Sequence, residues 1–264
     1  MRHKSLAFAF ALIRVVCLGV VVCATALVSI HSAGAQAAED LLKQVDKTLF
    51  MESYTSRVRM ETQEPGNAGT KVLVMANQAK RSIGTFLEVL EPARSKGTRF
   101  LQLEGSLWMF NPKSGSSKAV RLSARDSFQG STFSNADLGK SQFSDDYAAT
   151  ADGKDSLKHS ELGEVSCIKI SAVARNAEAA YGRIEMWLRA TDNMPLRMEY
   201  YAKSGLLFKR MDLFTIKNFG SLRRPSVLKM ESFEKAGTIS TITIEAMNAA
   251  DVPVTVFNKN YLTR

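Results

Sequence analysis

From Val165 to Ala246 six segments of alternating character follow one another: Val165–Ala172, Gly182–Arg189, Leu196–Ala202, Leu206–Ile216, Ser226–Glu234 and Thr238–Ala246. Most are separated by a few residues that include Gly, Pro, Asn or Asp. Parallel neighbours need a crossover of a dozen residues or more, so links this short demand antiparallel strands in a meander. The alternation divides each strand into two faces. On Gly182–Arg189, Ile184, Met186 and Leu188 share one face, opposite Arg183, Glu185, Trp187 and Arg189. On the next segment Leu196, Met198 and Tyr200 oppose Arg197, Glu199 and Tyr201. A sheet with one apolar face has to cover it with helices, a second sheet or a ligand.

The N-terminal half follows the same rule. Tyr54–Met60 alternates, Pro65–Gly69 turns the chain into Lys71–Ala76, and Ile83–Leu90, Phe100–Leu103 and Leu107–Phe110 are further strands. A Pro and Gly turn joins Leu90 to Leu101. Helical spacing is clear only over Ala38–Met51, where Leu41, Leu42, Val45 and Leu49 form one apolar face and Glu39 and Asp40 suit the positive end of the dipole. One helix against roughly ten strands gives a mainly β (α+β) fold, a single strongly curved antiparallel sheet whose cover is incomplete. Ser123–Ser160 breaks the pattern: it is rich in Ser, Asp, Gly and Ala, and Phe128, Phe133, Leu138, Phe143 and Tyr147 do not alternate. This is either a lid over one sheet face or a surface loop anchored by its aromatic residues.

Residues 1–37 read as an export leader, with Arg2, His3 and Lys4 before an apolar run and small residues at Ala35-Gln36-Ala37 for cleavage. The 16 residues Val15–Ile30 fall short of the length of about 20 that spans a bilayer. The domain is therefore expected over 38–264, in the periplasm. Cys23 offers a lipidation site and hence a lipid-anchored alternative, but Val22 precedes it where a small residue is wanted, and Cys17 follows Val16. The leader holds three of the 35 Lys and Arg residues and none of the 26 Asp and Glu. The remainder keeps a modest basic excess, suited to a solvated surface or to transient contact with an anionic membrane. Cys167 is the one thiol left after the leader, so no internal disulfide forms and a packed core must hold the domain.

Catalytic chemistry finds little to work with. His159 is the single histidine after the leader, set between Lys158, Ser160 and Glu161 with no Gly-x-Ser-x-Gly elbow, and reads as a solvated loop side chain. One Cys and one His do not make a zinc site, and Asp145, Asp146, Asp152 and Asp155 lack calcium-loop spacing, so they are expected to keep the loop soluble. There is no phosphate-binding glycine motif. Arg223-Arg224 is a tight basic pair in the second half, expected to solvate a turn, and nucleic acid is not expected as a partner. The expectation is a non-enzyme with no cofactor, no metal and no catalytic residue.

What remains is apolar strand surface. Met60, Met75, Met109, Met186, Met198, Met211 and Met230 lie in or beside strands, and flexible thioethers suit either core filling or a cavity for varied acyl chains. Phe86, Phe100, Trp108 and Phe110 add aromatic bulk.

Several of these segments occur together in a known order. Phe86-Leu87, Leu90-Glu91-Pro92, Lys96-Gly97-Thr98, Phe100-Leu101, Leu107-Trp108-Met109-Phe110-x-Pro112, Arg121 with Ser123, and Phe128-x-Gly130-Ser131-x-Phe133-Ser134-x-x-Asp137-Leu138 lie in sequence. With the ending Val252-Pro253, Val256-Phe257 and Tyr261-Leu262, the chain resembles the outer-membrane lipoprotein-sorting protein family (LolA-like). The resemblance implies an unclosed β-barrel around a hydrophobic cavity, plugged by the N-terminal helix and a lid loop. It further implies a carrier of lipid or lipid-modified protein between inner and outer membrane, with an inner-membrane transporter and an outer-membrane acceptor as partners. No cargo-gating residue of the family maps onto a position here, so phospholipid and lipoprotein both stay open as cargo. The expected lining is Leu87 and Val89 on one strand, Leu101 and Leu103 on the next, then Met109, with Ile184, Met186, Leu188, Met198 and Tyr200 from the second half. Phe128 and Phe133 are the expected lid. A one-residue error of face would reverse every choice on a strand. The alternative is an envelope interaction module, a transporter accessory subunit or surface adhesin, that uses the sheet as a scaffold.

Overall fold

The computed structural model describes residues 35–264 apart from 68, 82, 140 and 141. The expected leader, 1–37, with Cys17 and Cys23, lies outside the described residues except for its last three, which are helical. Helix α1 runs over 35–49. Its Ala38, Leu42, Val45 and Leu49 are buried, a spacing of four, three and four that keeps one stripe inward.

Thirteen strands follow. The first six are β1 (Ser53–Gln63), β2 (Lys71–Lys80), β3 (Gly84–Glu91), β4 (Arg99–Leu103), β5 (Ser106–Phe110) and β6 (Val120–Leu122). After the short helix α2 (Asn135–Gly139) come β7 (Tyr147–His159), β8 (Gly163–Ala174), β9 (Arg183–Arg189), β10 (Pro195–Tyr201), β11 (Leu207–Phe219), β12 (Leu222–Ser232) and β13 (Ile239–Ala249). Helix α3 (Lys259–Leu262) lies near the C-terminus. The strands form one antiparallel sheet in the order β6-β5-β4-β3-β2-β1-β13-β12-β11-β10-β9-β8-β7. It consists of two meanders joined where β1 pairs with β13, from Tyr54 opposite Ala249 to Gln63 opposite Ile239.

Laid flat, thirteen strands about 4.8 Å apart would span about 58 Å. Yet one contiguous cluster contains Met75 on β2, Phe100 on β4, Ile170 on β8, Met198 on β10 and Ile242 on β13, together with Leu42 and Val45 of α1. The sheet must curl around that cluster. Its two edges, β6 and β7, are neighbours in the chain and do not pair, so the barrel stays open and the segment 123–146 has to cross the gap between them. Among the described residues no helix is long and apolar enough to cross a membrane.

Three sequence expectations are corrected here. The irregular region ends at 146, because 147–159 is β7, thirteen residues paired in a long hairpin with β8. Its exposed middle, with Thr150, Asp152, Gly153, Lys154 and Asp155, hides the period, and a register shift between Ala151 and Gly153 interrupts it. His159 is not solvated. It is 2% exposed, with Nε2 3.1 Å from the Leu213 carbonyl oxygen and its ring 4.9 Å from that of Phe214. Leu196 does not share a face with Met198: a register shift between Pro195 and Arg197 sends it into a second cluster with Leu157, Cys167 and Trp187, on the other side of β9.

Candidate functional site

The interior is incompletely filled. A cavity of about 460 Å³ lies between the inward sheet face, the end of α1 and the crossing segment. Along β12, Arg224, Leu228 and Met230 line it, six residues or about 20 Å of strand. Ile242 of β13, Met211 of β11, and Ile184 and Tyr200 of β9 and β10 extend the sheet wall, to which Gly84, Gln102 and Leu107 of the first meander and Tyr147 of β7 also contribute. Leu49 and Phe50 close it from α1, and Phe133, Leu138 and Phe143 from the crossing segment.

That segment is held on three sides. The backbone N–H of Thr132 donates to Ser240 Oγ (2.9 Å) and Thr132 Oγ1 to the Met230 carbonyl (3.0 Å), which fixes the tip against β12 and β13. Phe128 is fully buried, 4.8 Å from the ring of Phe100 on β4. Asp46 of α1 accepts from the backbone N–H groups of Phe143 (2.6 Å) and Ser144 (3.0 Å). Glu39, two helical turns earlier, accepts from Ala149 N–H of β7 (3.0 Å) and from Arg175 (2.8 Å). Helix, cover and sheet edge are therefore joined by charge-assisted hydrogen bonds, which are stronger than neutral ones.

Polar groups stand at the two ends of the interior. At one end Lys209 of β11, 5% exposed, lies 3.3 Å from Asp137 of α2 and 3.2 Å from the Tyr181 hydroxyl. Tyr181 donates to Asp137 Oδ1 (2.7 Å). Burial, and then the Asp137 charge, push the Tyr181 hydroxyl well above its ordinary range. Burial does the same to Tyr200, and raises Tyr147 to about 12. These phenols stay neutral at any physiological pH: Tyr200 donates to the Met198 sulfur (3.4 Å), while the Tyr147 hydroxyl accepts from the backbone N–H of Tyr181 (3.3 Å).

At the other end stands Arg224, 5% exposed. Its Nη1 donates to the Leu49 carbonyl at the end of α1, and its Nε to the Pro225 carbonyl (3.1 Å). Arg81, also on the cavity wall, donates to the Phe50 carbonyl. Two guanidinium groups thus meet the negative end of the α1 dipole. Arg224 corrects the expectation that both members of Arg223-Arg224 solvate a turn. Arg223 does reach the surface, where it pairs with Asp192 at 2.8 Å, whereas Arg224 faces inward, and burial lowers its pKa to about 10.

The structure separates the sequence-selected residues into three groups. Ile184, Tyr200 and Phe133 line the cavity. Leu87, Val89, Met186, Leu188, Met198 and Phe128 are buried in the same cluster, with Met109 packed against it, but they fill the core beside the cavity. Leu101 and Leu103 face the other way: Leu101 packs with Phe86, Phe110, Val256 and Leu262 beneath α3, with Leu103 against them. Phe100 is the residue of β4 that points inward. Opposite Phe100 on β5 is Met109, and opposite Leu101 is Trp108, so the choice of face is displaced by one on β4 alone, while Leu87, Val89 and Met109 keep the expected side. Apolar residues occur on both faces of β4, and alternation alone does not choose between them. Met211 and Met230 stood in the methionine inventory, and Arg224-x-Ser226-x-Leu228-x-Met230 repeats at period two, which is the signal that places Arg224 on the same inward face. Two of the four aspartates expected to keep a loop soluble lie on β7 and bond to the sheet: Asp155 accepts from the Trp187 indole (2.8 Å) and Asp152 from Ser171 (2.7 Å).

The fold matches that of a LolA superfamily protein from Nitrosomonas europaea with a TM-score of 0.76 and 23% identity, covering 85% of this chain and 99% of that one. A DUF1329 family protein from Desulfovibrio piger matches with a TM-score of 0.73 and 19% identity, over 87% of this chain and 99% of that one. A domain from Vibrio parahaemolyticus named for outer membrane lipoprotein sorting matches with a TM-score of 0.72 and 18% identity, over 87% and 100%. Among curated proteins none matches the sequence. Residues 83–264 match the model of a family described as "Uncharacterized protein". The chain belongs to that family, and it is built on the LolA-like fold that its sequence resembles.

Proposed function

We propose that the protein is a carrier that binds the acyl chains of a lipid or lipid-modified protein in its covered cavity and passes them between the inner and outer membrane, without catalysis. The observation that carries this reading is the 460 Å³ cavity lined by Ile184, Met211, Leu228, Met230 and Ile242, under a cover that bridges the two unpaired sheet edges. Burying a methylene contributes about 0.8 kcal/mol, so ten of them offer about 8 kcal/mol before the cost of immobilising the chain, on the scale of micromolar binding. An affinity of that order holds cargo in water and releases it to a deeper apolar acceptor. The two thioethers on the wall can rotate to follow chains of different length. Periplasmic location, the loading transporter and the outer-membrane acceptor belong to the same reading, which the LolA-like fold supports.

Native mass spectrometry of the protein purified from its own cell envelope tests it. Lipid that survives transfer into the gas phase and is lost when Met230→Trp fills the wall supports the carrier. A protein that emerges empty, and takes up no lipid on mixing with vesicles, supports instead an interaction module that uses the sheet as a scaffold.

A further inference from the structure

Arg224, buried on the cavity wall, is short of hydrogen-bond partners. An arginine has five N–H donors. Here Nε meets Pro225 O, and Nη1 meets Leu49 O with the Met247 sulfur 3.9 Å away. Among the described residues Nη2 donates to nothing and no carboxylate pairs with the group. A cation removed from water without a counter-charge is costly, and the half-charge at the end of a helix offsets only part of it. The contrast with Lys209, equally buried but paired with Asp137, shows that the fold supplies a carboxylate elsewhere and none here. The strand that bears Arg224 continues along the cavity to Leu228 and Met230, so apolar lining shares one wall with an unneutralised charge and ends about 20 Å from it.

The geometry points to Arg224 as the headgroup site of the cavity: it takes the phosphate or carboxylate end of an anionic amphiphile whose hydrocarbon lies along Leu228, Met230 and Ile242. A planar guanidinium recognises an oxyanion better than a point charge does, since it can offer two parallel N–H groups. The inference rests on the carrier reading and adds a selection to it: neutral lipids fit the wall, whereas anionic ones also fill the charge.

The test compares dodecyl phosphate, dodecanol and inorganic phosphate on the full chain by calorimetric titration below micellar concentration. Dodecyl phosphate is expected to bind about tenfold tighter than dodecanol or more, the range of a charged hydrogen bond. In Arg224→Gln the two should become equal, while Arg224→Lys keeps part of the ratio. Equal affinities of the wild-type protein for the two amphiphiles overturn the headgroup site and leave the carrier intact; no binding of either overturns both. Inorganic phosphate that binds as tightly as dodecyl phosphate overturns the amphiphile in favour of a free-phosphate site. Because the decisive ratio is measured on the wild-type chain, it stands even if Arg224→Gln loosens the end of α1.

Discussion

The two ends of the interior use the same kind of group in opposite ways. At one, Lys209 is buried against Asp137 and Tyr181, so that β11 of the sheet is tied to α2 of the cover. At the other, Arg224 is buried just as deeply with backbone carbonyls and no carboxylate. A paired buried charge specifies geometry but contributes little net stability, while an unpaired one retains its electrostatic need. The difference teaches that the cover is locked at one end of the cavity and the chemistry is left open at the other.

The sharpest way to break that comparison is to unpair the locked end. Asp137→Ala leaves Lys209 buried without its partner and should cost about 3–5 kcal/mol in urea unfolding. Adding Lys209→Met should restore most of the loss, because two apolar groups replace a pair. If the single variant is as stable as the parent, the two ends are not different in kind. Next in size is Tyr147, whose hydroxyl is held at about 12 by burial against an ordinary value of 10. A raised folded value contributes stability that is complete below pH 10 and is lost as the pH rises to about 12. The loss should amount to about 2–3 kcal/mol across that window, and Tyr147→Phe should make the alkaline limb of a stability profile shallower by that amount, the part due to Tyr181 and Tyr200 remaining.

A smaller effect tests whether the cover moves apart from the sheet. Thr132→Val removes the donor to the Met230 carbonyl and should cost about 1–2 kcal/mol. Hydrogen exchange should then quicken over 127–138 and hardly change in β12; a uniform change along the chain would show cover and sheet to be one cooperative unit. The smallest effect is expected on the outside. Asp192 bonds Arg189 and Arg223, and these hold its carboxyl at about 2. Its contribution is present above the ordinary value of 3.8 and fades as the pH falls through about 2. The pair is partly open to water, so Asp192→Asn should cost less than about 1 kcal/mol, and less again in high salt.

Much of the fold could be read from alternation. The six segments of the second meander and five of the first lie within a few residues of the observed strands, because most of them alternate in character and turn residues bound them. Gly97, at φ +87°, shows why the turn after β3 was legible: few other residues adopt that backbone. β7 was not legible, since in a strand whose middle is exposed on both faces the period has no apolar residue to mark it. His159 and Arg224 were misread for one reason. A polar letter in a row says nothing of what the curled sheet will press against it.

By itself the sequence determined the antiparallel meander, the inward stripe of α1 and the resemblance to a LolA-like fold, since these depend on local period and on motifs in order. Only the tertiary structure decided that Leu101 lies under α3 while Phe100 points inward, that the cover spans two open edges, and that Arg224 stands unpaired at the end of a cavity. The physical reason is that period two defines two faces without naming the inner one. Curvature, which brings strands far apart in the chain around one cluster, makes that choice.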